Sequence, residues 1–101
     1  MLGFIKKLFD PGVDLSKKMS DGAIIVDVRS PEEYASGHVK ESKNIPLDKI
    51  SGKIEAIKKW NKPVITCCAS GMRSGSAASI LKQNGVEAYN GGSWQKTGKL
   101  A

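Results

Sequence analysis

Pro63-Val64-Ile65-Thr66-Cys67-Cys68-Ala69-Ser70-Gly71-Met72-Arg73-Ser74-Gly75-Ser76-Ala77 passes from a short apolar, β-branched run through a cluster of small residues. It leads into Ala77-Ala78-Ser79-Ile80-Leu81-Lys82, which carries an apolar stripe. The first part reads as a buried strand and the last as a helix, so the residues between them turn from strand to helix. The two thiols stand at the start of that turn and Arg73 at its end. A loop wound into a helix N-terminus aims backbone N–H groups inward and forms a cradle for an anion. A thiol placed there has its thiolate stabilised and is a nucleophile at neutral pH. The stretch predicts a strand–loop–helix unit and a covalent reaction on a small anion.

The flanking segments extend the pattern. Ala23-Ile24-Ile25-Val26-Asp27-Val28 reads as a central parallel strand buried on both faces, with Arg29 at its end. Ser30 is a candidate N-cap, Pro31 suits the first helical position and Glu33 completes a capping box, so a helix starts there and ends at Gly37. Lys43-Asn44-Ile45-Pro46 reads as a short strand. Leu47, Ile50, Ile54, Ile57 and Trp60 mark an amphipathic helix split near Ser51-Gly52. Asn84-Gly85 stops the helix that reaches Gln83. Val86 to Tyr89 is a last strand and Asn90-Gly91-Gly92 a turn. Trp94 begins a short final helix or tail, with residues 95–101 as a C-terminal tail. Toward the start, Leu15 to Met19 reads as a short helix closed by Asp21-Gly22. Leu2, Ile5, Leu8 and Phe9 recur at helical spacing, with Lys6 and Lys7 on another face. Residues 1–12 are thus a first helix or arm on the domain, or a basic amphipathic helix that touches a membrane or partner.

Strands alternating with helices imply right-handed crossovers and an α/β fold, a small parallel β-sheet flanked by helices on both faces. Ligands bind such sheets outside the carboxyl ends of the strands. The Cys67-Cys68 loop, Asp27-Val28-Arg29 and Gly91-Gly92 are expected to converge there.

With 101 residues and no internal repeat, the chain is expected to form one domain. Its net charge of +6 comes mostly from lysines scattered along the chain, with only six aromatics, which argues against nucleic-acid binding and for a solvated surface. Two adjacent cysteines are no disulfide framework and suit a reducing compartment. The first residues lack a small-residue cleavage pattern and a membrane span, so a cytoplasmic, monomeric protein is expected. His38 is the single histidine, which leaves no metal site built on several histidines, and no cofactor is expected.

Cys68-Ala69-Ser70-Gly71-Met72-Arg73-Ser74, with Pro63 five residues ahead of it, resembles the active-site loop of the rhodanese-like sulfurtransferases. Ile25-Val26-Asp27-Val28-Arg29 followed by Pro31-Glu32-Glu33-Tyr34 is similar to the family's first signature. Gly37-His38-Val39 leading to Asn44-Ile45-Pro46-Leu47 is similar to the second, and Tyr89-Asn90-Gly91-Gly92-Ser93-Trp94 to the terminal Gly-Gly and Trp pattern. The resemblance runs from about Ala23 to Trp94. Two departures are Lys40-Glu41-Ser42, where many members carry Pro-Gly-Ala, and Ala69, where many place arginine directly after the cysteine.

The register of the loop has two readings. From Cys68 to Arg73 there are four intervening residues, the sulfurtransferase spacing; from Cys67 there are five, the spacing of cysteine-based phosphatases and arsenate reductases. Gly71, three after Cys68, and the position of Pro63 favour Cys68. The resemblance then implies that Cys68 attacks the outer sulfur of a small anionic donor such as thiosulfate and carries it as a persulfide. The N–H groups of Ala69, Ser70, Gly71, Met72 and Arg73 would cradle it, and a thiol, cyanide or a protein would accept the sulfur. A non-catalytic rhodanese-like binding module is the remaining alternative. Arg73 either offers charge to the donor or braces the loop through carbonyls. Cys67 is either a small buried residue on the opposite side of the strand or a second thiol that resolves the persulfide or closes a vicinal disulfide. Asp27 and Arg29 could pair beside the site, but the expected partner of Arg29 is Glu32 or Glu33. His38 is expected to be structural.

Overall fold

A computed structural model of the chain describes residues 13–101; the amphipathic stretch over residues 1–12 lies outside them. Helix α1 (Leu15–Ser20) is followed by β1 (Ile24–Asp27), α2 (Pro31–Ala35) and β2 (Lys43–Asn44). A 3-10 helix (Leu47–Lys53) leads into α3 (Ile54–Trp60), then β3 (Val64–Cys68), α4 (Met72–Gln83), β4 (Ala88–Ser93) and α5 (Trp94–Gly98). The four strands form one sheet in the order β2-β1-β3-β4, with every pairing parallel. Among the described residues no helix is long and apolar enough to cross a membrane.

All five residues of β3 are buried, because it lies between β1 and β4 and is covered on both faces. Alternation along the strands divides the core. Val26, Val28, Val64 and Cys68 join Ile50, Ile54, Ile57, Ala77, Ala78 and Leu81 on the face covered by the 3-10 helix, α3 and α4. Ile25, Ile65 and Cys67 join Val39 on the other face, with Leu15 and Met19 of α1 and Trp94 of α5 packed against them. The fully buried Ile50, Ile57, Ile65 and Leu81 each stabilise the fold by about 1.5–3 kcal/mol through removal from water.

Local sequence explains the boundaries. Ser30 Oγ accepts the Glu33 N–H at 3.3 Å while the Glu33 carboxylate accepts the Ser30 N–H at 3.1 Å, the capping box predicted for α2. The split of the 47–60 segment falls between the 3-10 helix and α3. Three elements differ from expectation. Strand β3 continues through both cysteines. Helix α4 begins at Met72, five residues before Ala77, because Gly71 takes a φ of +100° and turns the chain at once into the helix. Asn90-Gly91-Gly92 is a bulged part of β4 and not a turn: Thr66 pairs with Asn90 but Cys68 with Ser93, so β4 carries one extra residue. Of the two readings of the segment from Trp94, a short final helix or a tail, the helix is present as α5, in which Thr97 is fully buried.

Candidate active site

The carboxyl end of β3 delivers Cys68 to the floor of the loop Ala69–Gly71, directly before the first turn of α4. The Gly71 N–H donates to Cys68 Sγ at 3.0 Å and the Ser74 N–H at 3.4 Å. Ser74 Oγ lies 3.4 Å from the same sulfur. Burial pushes the thiol up, but the Ser74 hydroxyl and the N–H groups of Ser74, Gly71 and Ser70 outweigh it and bring Cys68 below its ordinary value. The expected cradle ran from Ala69 to Arg73. The groups aimed at sulfur come from Ser70, Gly71 and Ser74, the last one residue beyond that stretch. Ala69 and Ser70 are exposed, and the Met72 side chain projects outward with 79% of its surface exposed. Cys68 itself is shielded from water by its own loop.

Two further residues lock this arrangement. Thr66, buried on the same face of β3, donates its hydroxyl to the Ser74 carbonyl at 2.7 Å and so pins the first turn of α4 to the sheet. Asn90 in the β4 bulge ties three segments together. Its Oδ1 accepts the Gly92 N–H at 2.9 Å and the Ser74 hydroxyl at 2.7 Å, and its Nδ2 donates to the Gly71 carbonyl at 3.0 Å. The Asn90 amide thereby anchors Gly71 through its carbonyl, on the residue whose N–H points at sulfur. The bulge needs Gly91, since a Cβ there would lie 2.6 Å from Thr97 Oγ1 and 2.8 Å from Ile65 Cγ2.

Cys67 faces away from this loop, among Ile25, Val39 and Ile65, and is completely buried. Desolvation, with the charge of Asp27 adding to it, pushes its thiol up to about 12. The loop is therefore assembled around Cys68, while among the described residues the Cys67 sulfur is surrounded by apolar side chains on the opposite face.

Arg73 bonds a carboxylate and not carbonyls, while its charge is still felt at Cys68. Its Nη1 and Nη2 donate to the two oxygens of Glu33 at 2.8 and 3.0 Å, a bidentate pair that ties α4 to α2. That pair, followed by the Ser30 N–H, holds Glu33 at about 2, well below the usual carboxylate range. Arg29 takes neither Glu32 nor Glu33 as its partner. Its Nε and Nη2 bond Asp27, at 2.8 Å for the shortest contact, and Nη2 also reaches the Gly37 carbonyl at 2.6 Å. Asp27 and Arg29 are buried, and the guanidinium lies 4.8 Å from the Trp94 ring centroid, so this pair joins β1 to α5 below the mouth. His38 stacks on Tyr34 at 3.8 Å, and its Nδ1 donates to the Tyr34 carbonyl at 2.7 Å; it plays no part in the loop. Among the described residues no group of three or more His, Cys, Asp or Glu side chains could hold a metal ion. A cavity of about 280 Å³ bordered by Ile57, Lys58, Lys62, Pro63 and Val86 lies at the opposite, amino-terminal ends of the strands.

Ser74 and Asn90 are the site residues that a reading of the loop alone omits. Ser74 leaves a trace in the sequence: with Ala77, Ala78 and Leu81 it occupies the buried stripe of α4. A polar residue on that stripe must have a buried partner. Asn90 leaves no comparable trace.

A family described as rhodanese-like domain matches residues 13–96. The chain is 41% identical over 69 residues to the uncharacterized protein YqhL of Bacillus subtilis, covering 67% of this chain and 54% of that protein. It is 39% identical over 61 residues to the thiosulfate sulfurtransferase PspE of Escherichia coli, covering 59% of each. The chain thus spans little more than half the length of these two relatives. Among solved structures, a rhodanese with anions from E. coli superposes with a TM-score of 0.67 at 34% identity, over 74% of this chain and 91% of that one.

Proposed function

This chain belongs to the rhodanese-like domain family, and on that premise we propose that it is a sulfurtransferase that carries sulfane sulfur as a persulfide on Cys68. The observation that supports this reading is the convergence of the Gly71 and Ser74 N–H groups and the Ser74 hydroxyl on Cys68 Sγ. Together they favour the thiolate, so attack needs no general base.

The Cys68 thiolate attacks the outer sulfur of a donor such as thiosulfate. A new S–S bond forms, the bond to the sulfonate sulfur breaks with its electron pair, and sulfite leaves. The outer sulfur of the Cys68 persulfide is then the electrophile. An acceptor thiolate, cyanide or a protein cysteine takes it and returns Cys68 as a thiolate. Because the loop covers the sulfur, donor and acceptor gain access through displacement of the loop at the exposed Ala69 and Ser70. The acceptor is a thiol, cyanide or a partner protein, and thiolate–sulfur exchange of this kind requires no further group to balance.

Intact mass after incubation with sulfane-sulfur donors tests the proposal. Wild type and Cys67→Ser should each gain one sulfur, about 32 mass units, while Cys68→Ser should gain none. Gain lost instead in Cys67→Ser would transfer the chemistry to the other thiol.

A further inference from the structure

The charge at the mouth carries information about the donor that the loop sequence does not. Thiosulfate is a dianion, so its reaction with a thiolate gathers three negative charges in one transition state. An organic hydropersulfide, R–S–SH, brings at most one negative charge of its own. A site for the first therefore needs fixed positive charge, and a site for the second does not.

Among the described residues, both arginines near the mouth are paired with carboxylates. Arg73 is held by both oxygens of Glu33, and the same carboxylate is fixed by the Ser30 N–H and hydroxyl, each at 3.1 Å. Arg73 and Glu33 are 39% and 38% exposed, so solvent screens the pair, and at neutral pH the ionised carboxylate partly offsets the guanidinium charge that reaches Cys68. Arg29 is likewise offset by Asp27. Position 69, directly after the nucleophile and exposed, is an alanine. Lys96 passes Gly92 at the rim and is exposed, so solvent screens its charge. What acts directly on the sulfur is the N–H cradle and the start of the twelve-residue α4, whose dipole amounts to roughly half a positive charge.

We infer that this site prefers an organic hydropersulfide, small or borne on a protein, over a dianion such as thiosulfate as its sulfur donor. This rests on the sulfurtransferase reading above and names its substrate class. The Cys68 thiolate attacks the outer sulfur of R–S–SH. The Cys68–S bond forms, the R–S bond to that sulfur breaks, and its electron pair leaves on R–S⁻, giving Cys68–S–SH and a thiolate that solvent protonates.

The test measures the single-turnover rate of sulfur addition to Cys68 by intact mass, with cysteine hydropersulfide and with thiosulfate as probes. The wild-type protein should load at least tenfold faster from the hydropersulfide at equal concentration, an order-of-magnitude expectation from one unit of extra charge. Glu33→Gln keeps a side chain that completes the capping box and removes the opposing charge. It should shift the ratio of the two rates about tenfold toward thiosulfate. Ala69→Arg, a change at an exposed position, should shift the ratio the same way and stands in for Glu33→Gln should that variant fail to fold. Equal or faster loading from thiosulfate, or a ratio unmoved in both variants, overturns the donor assignment while the persulfide chemistry stands. No added sulfur from either probe overturns both.

Discussion

Replacing Ser74 with alanine isolates the part of thiolate activation that comes from a single hydroxyl. In the native protein that hydroxyl donates to Asn90 Oδ1 at 2.7 Å and lies 3.4 Å from Cys68 Sγ. When the thiol ionises, rotation of the O–H toward sulfur stabilises the anion, and Asn90 Oδ1 keeps the Gly92 N–H. Ser74→Ala therefore leaves no orphaned acceptor at Asn90. A hydrogen bond to a charged group contributes roughly 1.5–3 kcal/mol, and a 3.4 Å contact belongs at the low end. Since about 1.4 kcal/mol corresponds to a factor of ten, the thiolate fraction at neutral pH should fall about tenfold. The N–H groups of Ser74, Gly71 and Ser70 remain, so activation is reduced and not abolished. The assay is the rate of sulfur loading, or of alkylation by a small reagent, followed from acid to alkaline pH. Less thiolate stabilisation raises the thiol's titration, so the acid limb of the profile should move to higher pH. The two proteins should converge once both thiols are ionised. Unchanged rates at neutral pH would refute the reasoning, and so would a deficit that persists at alkaline pH, which would mean that Ser74 shapes the loop and does not tune its charge.

Other changes probe separate parts of the structure. With its thiol pushed up to about 12, Cys67 should resist alkylation in the native protein at mildly alkaline pH, so mass spectrometry should find one label on Cys68 and a second only after unfolding. Asp27→Ala strands the buried Arg29 guanidinium and should cost about 3–5 kcal/mol in urea denaturation; a loss below about 1 kcal/mol would mean that the Gly37 carbonyl and Trp94 suffice. Gly91→Ala drives a methyl into Thr97 and Ile65 and should cost about 1–3 kcal/mol, read as a lower thermal midpoint. Glu33 titrates at about 2 when folded against its ordinary 4.5, so its stabilisation is complete above 4.5 and lost as pH falls toward 2. Glu33→Gln should flatten the acid limb of stability measured by circular dichroism.

Features encoded by neighbours in sequence were legible. Period-two alternation places Cys67 and Cys68 on opposite faces of β3, and Ser30, Pro31 and Glu33 announce the start of α2. The same alternation points to Asp27 as the partner of Arg29, two residues away on one face, a signal that the acidic pair Glu32 and Glu33 just downstream obscures. Gly91-Gly92 was misread because turns and bulges ask for the same residue; only the close approach of Thr97 and Ile65 distinguishes them. The Arg73–Glu33 pair spans forty residues and had no local signature. Glu33 already had a complete role as a cap, and its second partner became visible only when folding brought α2 beside α4.

That shared carboxylate links helix stability to the timing of chemistry. Helix α2 has five residues, far fewer than the dozen or so an isolated helix needs, and it keeps its shape through contacts at its ends. One is the capping box, one the Arg73 bridge, and one the Tyr34 hydroxyl on the Ser42 carbonyl at 2.6 Å. Whenever α2 breathes, the cap and the bridge open together, and for that interval Arg73 is a free cation beside the loop. Amide exchange in residues 31–35 and the capture of anions at the mouth would then report one fluctuation, and the electrostatic character of this site would be a time average set by a helix that never touches the sulfur.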